Sequence, residues 1–347
     1  MARKLRLQPD DVCFHIVTRI AHKEYFFDED EKDIVVGLMR NAASFSCVKV
    51  IAFCVMSNHL HLLVTIDKPT KLRLWEKWQD YVGFDMDRIQ EPPLCKLKMT
   101  ACLSQSDIEE VRTCQGMSLF DRYEMSKETL ASKLKLVMRE KRFNDLMERW
   151  SVLTPDSLEE ECGRVFSRMY DLSEFMKTLK QNISQYYNVR HGHTGGLWEG
   201  RFKDTIIERS VEAMSSVATY IDLNPWRAKM CDNPADYKWS SYGSAVSGDK
   251  RSREGYGIVY ETDDDWIKLL QIHAQQLRSR MDKDTAQQGD MEEAAFTSGA
   301  IIGSEKFING LVESAEEAFP NGHKSPPVNI HIGENKLKTL RNLRALR

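Results

Sequence analysis

The sequence predicts an α+β protein, and three observations carry that prediction. Residues 12–66 read in the order strand, helix, strand, strand, and residues 172–223 read as helix, strand, helix. With 41% hydrophobic residues in 347, the chain can also bury a sizeable core.

The first strand is VCFHIVTR at 12–19, where Val12, Phe14 and Ile16 alternate with more polar positions, the pattern of a half-buried strand. A helix over Asp28–Phe45 follows, with Ile34, Val35, Leu38 and Met39 at helical spacing behind an acidic start that suits the positive end of the helix dipole. Val48–Met56 and His59–Ile66 are apolar runs on either side of the turn-forming pair Ser57-Asn58, which gives a hairpin. From about Asp67 to Met169 the sequence becomes charged and partly helical, with an apolar face of Leu130, Leu134, Val137 and Met138. Residues 67–170 are therefore read as an inserted, mostly helical module. A helix near Leu172–Val189, the glycine-rich loop HGHTGGLWEG, a strand over Arg201–Ile207 and a helix over Val211–Leu223 complete the core, 1–66 plus 171–245, with its helices on one sheet face. Pro225 is expected to end that last helix, because its ring disfavours helical backbone before it and it donates no hydrogen bond. Residues 246–347 read as a C-terminal extension: an acidic stretch around Glu261–Asp265, a short helix carrying Phe307, Leu311 and Val312 before Pro320, and a basic tail with Lys336, Lys338, Arg341, Arg344 and Arg347.

Composition narrows the function classes. The formal net charge of -3 and pI near 6.3 give no global attraction to nucleic acid, so any DNA surface must be a local patch. None of the eight cysteines forms a CxxC pair, which argues against a zinc finger. No basic stretch leads into an apolar run at the N-terminus, and no eighteen apolar residues follow one another; the expectation is a cytoplasmic protein with reduced thiols and no membrane partner.

Two patterns carry chemistry. His59 and His61 are two apart on the second hairpin strand, so both project from one sheet face while Leu60, Leu62 and Val64 take the other. Two neutral imidazoles in reach of one ion suit a first-row or hard divalent metal, given a third ligand from elsewhere. In the helix over 211–223, Met214, Val217, Ala218 and Ile221 form the packing stripe; Tyr220 lies off it, with Asn224 one turn later on the same side. A hydroxyl and an amide oxygen can thus approach the histidines together. Plainer roles stay open for each: exposed strand histidines, a packing tyrosine, an asparagine that terminates its helix.

FCVMSNHLHLLVTI, followed by LKQNISQYYNVRHGHTGGLWEGRFKDTIIE, YIDLNPWRAKM and DYKWSSY, resembles the HUH single-tyrosine transposases, and among them the REP-associated tyrosine transposases. The resemblance covers 12–66 and 172–245 and implies a ferredoxin-like core. It implies metal-ligand roles for His59 and His61, with Leu60 at the hydrophobic position between them, and the nucleophile role for Tyr220. Asn224 stands where relatives supply a third polar ligand, often Gln. The implied activity is transfer of single-stranded DNA, with hairpin-containing repeats as the expected substrate, through a 5′-phosphotyrosine with Mg²⁺ or Mn²⁺. Monomer or homodimer, and a tyrosine acting on its own or a partner's metal, are both left open. This sequence departs from the pattern in the insertion at 67–170 and in the extension after 245, which resembles the family only at SGAIIGSEKF.

For strand binding, Lys177, Lys180, Arg190, Arg201, Lys203 and Arg209 outnumber Glu199, Asp204 and Glu208, and Tyr186, Tyr187 and Trp198 are available for base stacking. His191 and His193 form a rival pair, but in a glycine-flanked loop without an apolar frame. Two further readings stand beside the transferase: a catalytically idle hairpin-DNA-binding protein, and a small-molecule metalloenzyme using the histidine pair.

Overall fold

The structure is a computed structural model that describes residues 8–21, 27–82, 117–262, 265–283, 296, 299–318, 328–332 and 335–341. Strands β1 (Val12–Arg19), β2 (Lys49–Val55), β3 (His59–Thr65) and β4 (Lys203–Glu208) pair antiparallel in the order β2-β3-β1-β4. Helix α1 (Glu29–Ser46) connects β1 to β2, so this is the ferredoxin-like arrangement within an α+β fold.

Helix α1 begins where its sequence dictates. Asp28 accepts from the Glu31 amide, and the Glu31 carboxylate accepts from the Asp28 amide, a reciprocal cap. It ends at Cys47, which takes the left-handed conformation at φ 54°.

The hairpin leads into α2 (Thr70–Val82). After it come α3 (Leu119–Arg122), α4 (Lys127–Lys135), α5 (Glu140–Ser151) and α6 (Pro155–Phe166). Leu130, Leu134, Trp150, Cys162, Phe166 and Met169 share a core that reaches Phe45 of α1, and Val137 and Met138 pack at its margin. α7 (Leu172–His191) is capped by Asp171 and stopped by Gly192, whose φ of 58° suits a residue without a side chain.

Three sequence expectations are corrected here. β1 is buried on both faces except at Arg19, not half-buried. The cause is α8 (Val211–Arg227), whose Tyr220 covers the face carrying His15 and His61, while Arg40 of α1 stacks 5.9 Å from the Phe53 ring on the other face. The sheet therefore has helices on both faces. Second, Pro225 lies inside α8, which runs on to Arg227. The carbonyl of Ile221, which Pro225 cannot serve, receives the Asn224 side-chain amide at 3.4 Å, and the same amide donates to the Tyr220 carbonyl at 2.8 Å.

Third, the chain beyond 245 extends the core sheet. β5 (Gly299–Gly303) pairs parallel with β4, followed outward by β7 (Asn335–Arg341) and β6 (Val328–Ile332), making a mixed seven-stranded sheet among the described residues. Lys336, Lys338 and Arg341 of the basic tail lie in β7; Arg344 and Arg347 lie outside the described residues. Phe307, Leu311 and Val312 lie on α12 (Glu305–Ala318). Between α8 and β5 come α9 (Ser241–Val246), α10 (Lys250–Val259) and α11 (Trp266–Lys283). α10 approaches the outer strand so closely that a Cβ on Gly255 would stand 2.2 Å from the Ile51 carbonyl oxygen. No helix among the described residues is long and apolar enough to cross a membrane.

Candidate active site

Antiparallel register sets the site. Arg19 stands opposite His59, Val17 opposite His61 and His15 opposite Leu63, and Lys203 and Thr205 of β4 face Val17 and His15. Residues directly opposite share a face, so His15, Arg19, His59, His61, Lys203 and Thr205 all belong to the side covered by α8. The ring centroids of His59 and His61 are 4.9 Å apart, and the His15 ring stacks on His61 at 5.4 Å. Tyr220 meets His61 edge-on at 5.7 Å and His15 at 5.8 Å, within one chain. Phe296 lies against the Tyr220 ring at 4.4 Å, and the Arg227 guanidinium is 5.5 Å from its centre.

Hydrogen bonds hold the imidazoles. His15 Nδ1 is 3.1 Å from the Phe296 carbonyl oxygen, which also accepts from the Thr205 hydroxyl at 3.1 Å. His15 Nε2 is 3.2 Å from His61 Nδ1, and His59 Nδ1 is 2.7 Å from Asn58 Oδ1. Burial, opposed by the Phe296 carbonyl, lowers His15 to about 4; burial and then the Arg19 charge lower His59 to about 4. His61 falls well below its ordinary 6.5, from burial first and then its neighbours His59, His15 and Arg19. All three are neutral imidazoles at pH 7, the form that ligates a metal.

The structure thus brings together Tyr220, His59 and His61. Among the described residues no group of three or more His, Cys, Asp or Glu is arranged to hold an ion, so a metal here would rest on two imidazoles and oxygen donors. Asn224 directs its amide nitrogen to its own helix, so only its amide oxygen could serve a metal. Tyr220 lies off the apolar stripe of α8 yet is only 3% exposed, because His15 and His61 of the sheet and Phe296 pack against its ring.

Of the residues expected to meet DNA, Lys177, Arg190, Arg201 and Lys203 are exposed. Trp198 forms a bridge with Ile20, one residue past Arg19, and its indole donates to the Lys180 carbonyl and the Ser184 hydroxyl. Lys177 pairs with Glu174 at 2.9 Å, and Lys180 donates to the Gly200 carbonyl at 2.6 Å. Arg190 bonds Asp28 at 3.0 Å and the Tyr186 hydroxyl, fastening α7 to the start of α1. His191 bonds Glu31 and His193 bonds Asn188, so the rival pair serves local structure.

Sequence reasoning passed over His15, Arg19, Thr205 and Phe296. The first two occupy the polar positions of β1, which the alternation assigned to solvent; they become site residues once β1 is known to lie beside β3.

Residues 10–75 match the family described as "Transposase IS200 like". No curated protein matches the chain. A solved structure of a REP-associated tyrosine transposase bound to a REP hairpin is similar at 9% identity, covering 72% of this chain and 87% of that one with a TM-score of 0.37. Residues 10–75, which hold β1, α1, the β2–β3 hairpin and both candidate site histidines, are thus similar to the IS200-like transposases.

Proposed function

We propose that the chain is a transposase-like DNA strand transferase that cleaves and rejoins single-stranded DNA, with hairpin-containing repeats as its substrate, through Tyr220. One observation carries this reading: a tyrosine ring from α8 packs 5.7 Å from the imidazole of His61, itself 4.9 Å from that of His59, and both histidines lie in the segment that matches a transposase family. The phenolic oxygen forms a bond to phosphorus while the bond to the 3′-oxygen breaks. The products are a 5′-phosphotyrosine and a free 3′-OH, and the proton lost by the phenol balances the one gained by that hydroxyl. Reversal by a 3′-OH rejoins an end without a nucleotide cofactor, because the ester bond count is unchanged.

His59 and His61, as neutral imidazoles, would hold Mg²⁺ or Mn²⁺, with the Asn224 amide oxygen as the third protein donor. A bound divalent ion supplies charge neutralisation at the scissile phosphate. Arg201 and Lys203 give the sugar-phosphate backbone a cationic approach.

The test incubates labelled single-stranded hairpins with the protein and Mn²⁺ and looks for an adduct that survives denaturation. Wild type forms it, and Tyr220→Phe abolishes it while hairpin binding is kept. The 3% exposure of Tyr220 favours one competing reading, a hairpin-binding protein that does not cut. No adduct across a broad hairpin set, with binding identical in wild type and Tyr220→Phe, selects that reading.

A further inference from the structure

The third histidine at the site, His15, is assigned by neither the HxH pattern nor the transposase resemblance. It is fully buried, on the strand beside the metal-ligand pair, and both of its ring nitrogens are within hydrogen-bond distance of a partner. A neutral imidazole has one N–H and one lone pair, so its two contacts must have opposite sense. The sense is fixed at one end. The backbone oxygen of Phe296 only accepts, so the proton sits on His15 Nδ1 and the lone pair on Nε2. That lone pair faces His61 Nδ1 at 3.2 Å, which must then carry a proton. His61 is left with its lone pair on Nε2. At His59 the logic repeats in one step: Asn58 Oδ1 accepts from Nδ1 at 2.7 Å, leaving Nε2 bare.

We propose that His15 is a positioning residue which, through the Phe296 carbonyl, sets the tautomer and ring orientation of His61 so that Nε2 is the atom offered to a divalent cation. This rests on the metal-site reading of His59 and His61 given above. The arrangement is a carbonyl–imidazole–imidazole relay, in which the outer partner orients a ligand it does not replace. A buried hydrophobic side chain at 15 would leave His61 Nδ1 without a partner and both tautomers accessible. Glutamine fits the relay in kind, since its amide oxygen accepts from His61 and its amide nitrogen donates to the carbonyl.

Two measurements test this. In metal-free wild type, long-range proton–nitrogen correlation spectra of the imidazoles should show His61 protonated at Nδ1 and bare at Nε2; the reverse tautomer overturns the proposal. Mn²⁺ affinity, by titration calorimetry, should fall about 10- to 100-fold in His15→Leu and stay within about threefold of wild type in His15→Gln. Full affinity in His15→Leu, or equal loss in both variants, overturns the relay. So does a Mn²⁺ electron-spin-echo spectrum of wild type that shows His15 nitrogen bound directly. Should His15→Leu fail to fold, the wild-type tautomer and the His15→Gln affinity decide. A wild type with the predicted tautomer and no affinity for Mn²⁺ removes the metal-site reading instead, which separates the two failures.

Discussion

Acid should unfold this protein through its buried imidazoles before it protonates most carboxylates. In an unfolded chain each histidine titrates near 6.5, whereas burial brings His15 and His59 to about 4 in the folded protein. Between those two values the unfolded state binds more protons than the folded one, so stability falls as pH drops through the window and is unaffected by these groups above it. From pH 7 to pH 5 the loss is about 2 kcal/mol for the fully buried His15, from the ratio of the two proton-binding polynomials, and somewhat less for the partly open His59. His61 shifts in the same direction and adds to it. The assay is urea unfolding at pH 7, 6 and 5 with EDTA present, comparing wild type with His15→Gln. Carboxylates titrate alike in both proteins, so the difference between the two pH dependences reports the imidazole of His15 together with its effect on neighbouring His61. The variant should lose about 2 kcal/mol less than wild type over this range. Parallel pH dependences would refute the claim that His15 is held neutral by burial.

Four other outcomes follow from the packing. Gly255→Ala puts a Cβ on the Ile51 carbonyl oxygen, which is backbone and cannot swing aside; a loss of about 1–3 kcal/mol or more in denaturant unfolding is expected, and a neutral result would show that α10 is free to shift. Asp222→Ala leaves the Tyr256 hydroxyl, His273 Nε2 and the Tyr242 amide without their shared buried acceptor, which should cost about 3–5 kcal/mol by the same measurement. Asp28→Ala removes one half of the α1 cap and should cost about 1 kcal/mol, with the early helix exchanging its amide protons faster. Phe296→Ala uncovers one side of the Tyr220 ring and should raise the initial rate of adduct formation with hairpin DNA and Mn²⁺; an unchanged rate would mean that Phe296 does not limit access.

The core was legible because its signals are local. Strand alternation, the acidic start of α1, the Ser57-Asn58 turn and the HxH spacing each depend on residues a few positions apart, and the structure has the same element order. What escaped depends on pairing across the sheet. Nothing between Arg19 and His59 in the sequence says that β1 lies beside β3, so His15 and Arg19 looked like solvent positions. The same gap hid the second helical layer: Tyr220 sits outside the apolar stripe of α8, yet it is buried because Phe296, far away in sequence, lies on it. Asn224 shows a third kind of limit, since its amide repairs the hydrogen bonding broken by Pro225, and a breaker rule applied to the proline alone ends the helix too early.

For Tyr220 to reach a phosphate something that covers it must move, and the contacts rank the candidates by cost. α8 is fastened through Asp222, a fully buried carboxylate that accepts from the Tyr256 hydroxyl at 2.6 Å, from His273 at 3.0 Å and from the Tyr242 amide at 3.1 Å. Hydrogen bonds to a charged group contribute about 1.5–3 kcal/mol each, and withdrawing the helix would strand that charge in the core. On the other side, among the described residues Phe296 meets the rings of Tyr220 and His15, its carbonyl takes two bonds from neutral donors, each worth about 1 kcal/mol, and its buried ring contributes about 1.5–3 kcal/mol. Displacing Phe296 leaves no charge stranded in the core and keeps α8 in place. It also removes the acceptor that fixes the proton on His15, so opening the site by this route would couple access to the tyrosine with the tautomer of its neighbouring histidine.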